Sequence, residues 1–219
     1  AAAWAWTRIG SLSEDTQATN PIIRWEYLFE RERTPDELWE RTRQHLELTV
    51  IPVLLGLVIS SVLSAVALRF RWTFAPITTV AGFLYTIPSL ALFGVLVTYN
   101  SNWTAAVIAL TSYTLLIMIR NIVAGIDGVP QAARDAADGL GMTRRQRFVR
   151  VELPLAFPVI VTGVRVATVT TVGLVGISVV IQLGGLASLI FDGYRRQFTT
   201  PIVVGSALSI LLAVLPTMV

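Results

Sequence analysis

The stretch DAADGLGMTRRQRFVRVELP, Asp135 to Pro154, is the most polar passage of a chain that is otherwise strongly apolar. Two glycines, Gly139 and Gly141, suit the end of a helix, where a residue in the left-handed conformation closes the last turn. Thr143 can then cap a second short helix, RRQRFVRVEL, and we expect Pro154 to end it. The sequence therefore predicts two short polar helices joined at a glycine corner.

The two short helices differ in composition. Pro130 is well placed for the first turn of the first helix, which is mostly alanine on one side. Alanine stabilises a helix while letting another backbone approach closely, and the arginines of the second helix can meet acidic protein or anionic lipid headgroups. Such a pair, too short and too polar to span a bilayer, suits mechanical contact with something outside the membrane. The residues concerned are Ala132, Ala133, Ala136 and Ala137 in the first helix and Arg144, Arg145, Arg147 and Arg150 in the second.

The composition of the whole chain indicates a membrane protein. Its 219 residues have a mean hydropathy of +0.67 and only 14% charged residues, against about 25% in a typical soluble domain. The net charge of +3 is too small and too scattered to indicate a nucleic-acid partner. With no cysteine and only one histidine, His45, no metal site is predicted, and we expect His45 to be an interfacial side chain. No phosphate-loop motif and no lysine occur, so no catalytic or cofactor-binding residue is predicted.

Five apolar runs are long enough to be membrane spans, since about 20 apolar residues in a helix cross the hydrocarbon layer. Residues 72–119 carry no charge, and the TYNSNW stretch at 98–103 divides them into two runs. Pro76, Pro88 and Gly94 weaken the first of these runs, so a re-entrant segment there is an alternative to a helix. The predicted spans are 48–68, 74–97, 103–119, 155–181 and 200–219.

The distribution of arginines predicts which ends of the spans face the cytoplasm, because cytoplasmic loops carry an excess of positive side chains. With the N-terminus outside, eight arginines lie inside, against Arg195 and Arg196 in the last outer loop. Four arginines close to the first span, at 31, 33, 41 and 43, lie outside and oppose this count. We expect the central insert, 120–154, on the cytoplasmic side. The eight inner arginines are Arg69, Arg71, Arg120, Arg134, Arg144, Arg145, Arg147 and Arg150.

Residues 1–47 differ from the rest, since they are charged and aromatic and contain no long apolar run. Thr34 as N-cap and Glu37 three residues on form a capping box, which predicts a helix start. We predict an extracytoplasmic or interfacial segment with an amphipathic helix, or a binding platform for a partner protein, ahead of a membrane domain at 48–219. Ala1 is not a methionine and no signal-peptide pattern follows it, so we expect trimmed ends. Side-chain pairs four residues apart support the helix, Glu37–Arg41 and Arg43–Glu47.

The polar insert resembles the EAA signature of bacterial ABC importer permeases, E-A-A-x3-G-x9-I-x-L-P. The spacing agrees at every element, and the two departures, Asp for Glu and Val for Ile, are mild. In that family the signature loop is a coupling helix seated in a cleft of the ATP-binding subunit. By this resemblance the ATPase-coupling residues are Asp135, Ala136, Ala137, Gly141, Val151, Leu153 and Pro154.

Four further segments, TIPSLALFGVL, RNIVAGIDGVP, MTRRQRFVRVELPLAFPVIVTGVR and GGLASLIFDG, resemble the osmoprotectant branch of that family. The resemblance implies an all-α permease of the type I, MetI-like architecture in the bacterial cell membrane. It implies import of glycine betaine, choline, carnitine or proline betaine. Two partner subunits would bind ATP and Mg, this chain would bind no cofactor, and an extracytoplasmic protein would select the solute.

Several hypotheses stay open, both for a member of this family and for a protein outside it. The second permease is either another copy of this chain or a related permease. The solute is alternatively another small molecule, such as an amino acid. Outside the family, the alternatives are a channel or carrier that works without ATPases, and a scaffold without a polar path.

Four residues inside the predicted spans are candidates for the translocation path. Arg165 lies in the fourth span, where a guanidinium facing lipid is expensive, so we expect it to face protein or a polar cavity. A structural ion pair or a bond to a carbonyl is the first expectation, and contact with a solute carboxylate the second. Tyr85 and Tyr113, with Ser89, could hold a quaternary ammonium group on an aromatic face, or the tyrosines could be packing anchors.

Overall fold

The computed structural model describes residues 35–215, and the regular elements in this range are all helical. The predicted cap at Thr34 and most of the segment 1–47 lie outside the described residues. The elements are α1 Pro35–Arg69, a 3-10 turn Arg71–Thr73, α2 Phe74–Thr86, α3 Ser89–Tyr99, α4 Asn102–Asp127, α5 Gln131–Gly139, α6 Arg144–Arg147, a π-turn Phe148–Glu152, α7 Leu153–Val175, a 3-10 turn Gly176–Ile181, α8 Ala187–Arg195 and α9 Thr199–Val214.

The first helix is longer than a membrane span. Its 35 residues correspond to about 52 Å at 1.5 Å per residue. The predicted surface helix and the first span are therefore one continuous helix rather than two elements, and the domain boundary at residue 47 stays a prediction. The two expected ion pairs of its first turns are confirmed: Arg41 contacts Glu37 at 3.2 Å and Arg43 contacts Glu47 at 3.4 Å.

The predicted second span is a broken pair of helices. α2 and α3 are bent by 93° to each other at Ile87 and Pro88, so the prediction of one helix over 74–97 is wrong and a broken or re-entrant span replaces it. The physical reason is local. A proline disfavours the helical conformation of the residue before it, and Ile87 is extended with φ −62° and ψ 128°.

α4 is longer than its predicted span, 103–119, by two turns. Ser101 caps it through its side chain, and its 26 residues end at Asp127. At about 39 Å, α4 exceeds the roughly 30 Å of hydrocarbon, so its last turn extends beyond the apolar layer. The polar insert therefore begins at Gly128 and not at 120.

The core is formed by α1, α4 and α7. α1 and α4 run parallel, since Leu48 packs near Ala106 while Leu68 packs near Ile126. Small residues let the three helices approach closely, which is how helices associate in lipid. They are Gly56 against Thr114, Gly125 against Ala156 and Gly163 against Asn121, together with Ser60 and Ser64, which are fully buried.

Pro154 does not end a helix, which corrects the sequence prediction. It is one of the first residues of α7 and directly follows the π-turn, so the helical path accommodates the proline instead of ending at it. The preceding π-turn carries the chain from α6 into α7, and the helical path runs without a gap from Arg144 to Ile181. The short polar helix and the fourth span are thus one mechanical element.

The end of the bundle opposite the polar insert is closed by a glycine corner. Gly184 and Gly185 both have positive φ, at 116° and 50°, and the N–H of Gly185 donates to Gln44 Oε1 at 3.0 Å. His45 packs against Gly185 and is only 1% exposed. The prediction of an interfacial side chain is therefore wrong, because His45 is enclosed by protein beside the corner at 184–185.

Within residues 35–215, three helices are long and apolar enough to cross a bilayer, and the count rises to four if the bent α2–α3 pair is one broken span. α9 is apolar but has 16 residues in its described part. The count of about five spans therefore agrees with three long helices, one broken pair and one shorter helix. The sequence analysis did not predict α8, which lies between α7 and α9.

Candidate functional site

The polar insert between α4 and α7, residues 128–152, is called here the elbow. Its first helix, α5, starts after Pro130 and ends in a Schellman motif. Met142 N donates to the Ala137 carbonyl at 3.1 Å and Gly141 N to the Asp138 carbonyl at 2.9 Å. Gly141 has the left-handed φ of +72° that this motif needs. Gly139 is the last helical residue, so the left-handed position falls on Gly141 alone.

The second half of the elbow begins with a capping box at Thr143, as the sequence predicts. Thr143 Oγ1 accepts from Gln146 N at 3.3 Å, and Gln146 Oε1 accepts from Thr143 N at 2.9 Å. Two orphan backbone donors are satisfied reciprocally. The turn between α5 and α6 therefore has hydrogen bonds on both sides of its corner.

An ionic network joins the two halves of the elbow to the long helices. Arg147 Nη1 donates to both carboxylate oxygens of Asp138 at 2.8 and 2.6 Å, and Arg147 Nε donates to Glu152 Oε1 at 3.0 Å. Arg134 Nε lies 3.5 Å from the same Glu152 oxygen, and Arg134 Nη2 donates to the Ile126 carbonyl at 2.6 Å. α4, α5, α6 and the start of α7 are thereby tied together.

This network corrects one sequence prediction. Arg147 was expected, with Arg144, Arg145 and Arg150, to meet acidic protein or lipid headgroups. Its side chain instead has two internal carboxylate partners, while the other three arginines are exposed. The reason is tertiary, because Asp138 and Glu152 face the same guanidinium only after the corner has formed.

A second ion pair fixes the same end of the bundle. Arg71 of the turn after α1 donates to Asp127, the last residue of α4, at 2.8 and 2.6 Å. The two residues are 56 positions apart in the sequence, so the pair ties the turn after α1 to the end of α4. Asn121, also on α4, bonds locally through Nδ2 to the Ile117 carbonyl at 2.8 Å.

The signature residues divide into an outward and an inward set. Asp135 and Ala136 are exposed, and Asp135 accepts a single local bond from Gln131 Nε2 at 2.8 Å. Ala137 is 2% exposed and packs inside the elbow. Val151 is half-buried, and Leu153 and Pro154 are exposed at the start of α7.

Leu140 is a candidate site residue that the sequence analysis did not single out. It lies at the apex of the corner and is 76% exposed, although it is apolar. The available signal was a leucine directly before the left-handed glycine in an otherwise polar stretch. A large apolar side chain left exposed at the corner is a candidate contact for a partner protein.

Three of the four span candidates come together at the break between α2 and α3. The rings of Tyr85 and Tyr113 lie edge to face, 6.1 Å apart, and Ser89 begins α3. The Tyr113 hydroxyl donates to the Ile87 carbonyl at 2.6 Å and the side chain is buried. Tyr113 therefore stabilises the break, while Tyr85 is 40% exposed.

Arg165 lies apart from this cluster, on α7. Its Nε is enclosed and has no hydrogen-bond partner among residues 35–215, and the ion pairs of that range do not include it. The expected internal ion pair or carbonyl bond is therefore absent from the described residues.

Replacing Tyr113 by Phe should destabilise the protein by about 2 kcal/mol, because the Ile87 carbonyl at the break loses its donor in an apolar segment. The measurement is thermal unfolding of the purified protein in detergent. Tyr85→Phe is the matched control, since it keeps the ring contact and leaves the Ile87 carbonyl bonded. Equal unfolding temperatures for the two variants would show that the hydroxyl is not needed at the break.

Known proteins resemble this chain in sequence and in fold. A family described as binding-protein-dependent transport system inner membrane component matches residues 51–219. The osmoprotectant import permease protein OsmW of Salmonella typhimurium is 36% identical over 179 residues, covering 79% of this chain and 83% of that protein. The choline transport system permease protein OpuBB of Bacillus subtilis is 31% identical over 179 residues, covering 81% and 82%.

Solved structures agree on the fold. An inward-facing structure of the MetNI methionine ABC transporter matches with a TM-score of 0.72 at 19% identity, over 86% of this chain and 95% of that chain. The predicted all-α, MetI-like architecture is thereby confirmed. The elbow, the long helices and the family match agree, and the chain belongs to the inner-membrane components of binding-protein-dependent transport systems, the multi-pass permeases of ABC importers.

Proposed function

We propose that this chain is the permease subunit of an ATP-driven importer of small osmoprotectants such as glycine betaine, choline, carnitine or proline betaine. The observation that carries the transport role is the elbow, a rigid corner tied to two long helices that presents an apolar apex to the outside. The solute class is supported by the relatives, whose names give osmoprotectant and choline transport.

The elbow is the handle by which partner ATPases move the helices. The excess of arginines around the elbow supports a position on the cytoplasmic side. Asp135, Ala136 and Gly141 form the surface that a cleft of the ATPase accepts, and Leu140 is the anchor. Ala137 packs inside the elbow and keeps α5 against its second half.

Force on the elbow reaches two helices at once. Arg134 is bonded to the Ile126 carbonyl at the end of α4 and paired with Glu152, which precedes α7. Val151, Leu153 and Pro154 continue into α7 without a break, so this helix follows the elbow as a lever. Rocking of α4 and α7 then changes which side the pathway opens to, as in other alternating-access transporters.

The broken span is the proposed lining of the path. Tyr85 presents an exposed aromatic face suited to a quaternary ammonium group, Ser89 offers a hydroxyl at the start of α3, and Tyr113 holds the break in place. Arg165, without an internal partner in the described range, can meet the carboxylate of a betaine or an acidic group of a second permease.

The remaining functions belong to other subunits. Two ATP-binding subunits hold ATP and Mg and hydrolyse the nucleotide, and this chain binds no cofactor. A second copy or a related permease completes the path. An extracytoplasmic binding protein delivers the solute.

The test is uptake into vesicles that contain the permease, its ATPases and its binding protein. We expect ATP-dependent accumulation of glycine betaine or choline, and none when ATP is omitted. Methionine serves as the comparison solute. ATP-driven uptake of methionine alone would replace the osmoprotectant assignment with an amino acid, whereas uptake without ATP or ATPases would overturn the importer mechanism.

A further inference from the structure

A groove of about 540 Å³ opens on the surface of the bundle beside the elbow. α1 contributes Ala65 and Arg69, α4 contributes Ile126, and the π-turn and α7 contribute Phe148 and Phe157. The lining is apolar except for Ser61 and, at the end of α1, Arg69. The two phenyl rings are 39% and 59% exposed, so the groove is open to the surroundings of the helices and not part of the closed core.

The groove lies where the helices pass from uncharged to charged sequence. Arg69 is the last residue of α1, Ile126 is the penultimate residue of α4, and Phe157 is in the second turn of α7. Each helix is uncharged for several turns on the membrane side of this level, apart from Arg120 in α4 and Arg165 in α7. The body of the groove therefore faces acyl chains, and the arginine end faces headgroups.

The headgroup end of the groove carries an excess of positive charge. Arg69 is exposed, and no acidic side chain of residues 35–215 lies within ion-pair distance of it. Its guanidinium lies 5.3 Å from the Phe70 ring. Arg71, by contrast, is neutralised by Asp127 at 2.6 Å.

An adjoining polar pocket of about 390 Å³ shares Phe148 and Ile126 with the groove. Arg71, Arg134 and Arg147 line it, and all three are matched by the carboxylates described above. Arg69 is thus a cation at the headgroup end of the groove that has no carboxylate partner among residues 35–215.

We propose that this groove binds one anionic phospholipid of the inner leaflet. Its acyl chain lies along Phe148, Phe157 and Ile126, and its phosphate meets the Arg69 guanidinium. The inference depends on the proposed cytoplasmic placement of the elbow. An anionic headgroup is favoured over a zwitterionic one by roughly fivefold in affinity, since one basic residue near a membrane contributes about 1 kcal/mol.

The position of the groove gives the lipid a role in transport. One wall is α1, and the other is the π-turn and α7, which move with the elbow in the proposed mechanism. A lipid lying between the two walls packs against α7 and stabilises this helix along the face that moves. Uptake should therefore increase with anionic lipid while solute capture by the binding protein stays unchanged.

The experiment uses the whole complex, purified with its ATPases and reconstituted in phosphatidylcholine with or without phosphatidylglycerol. Native mass spectrometry counts the phospholipids retained without ATP, and uptake is measured in matched vesicles. Arg69→Gln should lower retained phosphatidylglycerol roughly fivefold, and Ala65→Trp, which fills the groove, should abolish it. Val66→Trp, on the next exposed position of α1 but outside the groove, and Arg195→Gln, at the opposite end, are the controls.

Each outcome decides the proposal. Unchanged retention in Ala65→Trp would remove the groove as the site, and equal retention of the two lipids in the wild-type complex would overturn the charge argument. A cross-link from Ala65→Cys to another subunit would show that protein covers the groove, which also overturns it. Because retention is measured without ATP, a complex that fails to transport osmoprotectants still tests the lipid site.

Discussion

Replacing Leu140 by Asp should leave the permease folded in the membrane and abolish its association with the ATPase subunits. Leu140 is 76% exposed at the apex of the elbow, so the change removes no internal packing. In the complex, a carboxylate would be forced into an apolar cleft, which costs about 3 kcal/mol, or roughly a 100-fold loss in affinity. The measurements are co-purification of the ATPase and ATP-driven uptake.

The control for this change is a residue with the same exposure at the other end of the bundle. Tyr194 is also 76% exposed, and Tyr194→Asp should leave ATPase association unchanged. Leu140→Met keeps an apolar side chain at the apex and should retain association. If Leu140→Asp still co-purifies with its ATPases and transports at the wild-type rate, the apex of the elbow is not the docking point.

Replacing Glu152 by Gln should uncouple ATP hydrolysis from transport. Glu152 is 9% exposed and is paired with both Arg147 and Arg134. Removing its charge leaves Arg147 with Asp138 as its remaining carboxylate partner and Arg134 with the Ile126 carbonyl alone. The ionic tie between the elbow and the start of α7 is thereby weakened. The apex stays intact, so the ATPases still dock, but the elbow no longer transmits their movement to α4 and α7 together.

The measurement is the amount of solute transported per ATP hydrolysed, with thermal unfolding measured in parallel. We expect the ratio to fall severalfold while ATP hydrolysis continues. Glu40→Gln is the control, since among residues 35–215 Glu40 forms an exposed pair with Arg43 at 3.2 Å, and exposed pairs contribute little. A less stable Glu152→Gln protein with an unchanged ratio would mean that the network holds the fold but does not couple.

The elements that could be predicted are those decided by neighbours in the chain. The corner at Gly141 and the cap at Thr143 depend on backbone conformation and on hydrogen bonds between residues at most five apart, so the local sequence is sufficient. The break at Pro88 was left open between a weakened helix and a re-entrant segment, because a proline constrains its predecessor but does not say how the two halves then lie. The membrane spans could also be predicted from the long apolar runs, because the thickness of the hydrocarbon layer sets the length of a spanning helix.

What only the tertiary structure decided concerns partners that meet after the chain has turned, nine residues apart for Arg147 and Asp138 and 56 for Arg71 and Asp127. Arg147, Asp127 and His45 each have a side chain suited to an exposed position, and each is paired or enclosed because the folded chain brings a carboxylate or a glycine corner to it. Leu140 shows the converse, because it is apolar and yet the turn of the chain leaves its side chain exposed at the apex of the elbow. Local sterics and hydropathy therefore determined the membrane-spanning helices and the corner of the elbow, whereas charge pairing across the fold decided which arginines stiffen the elbow and which face outward.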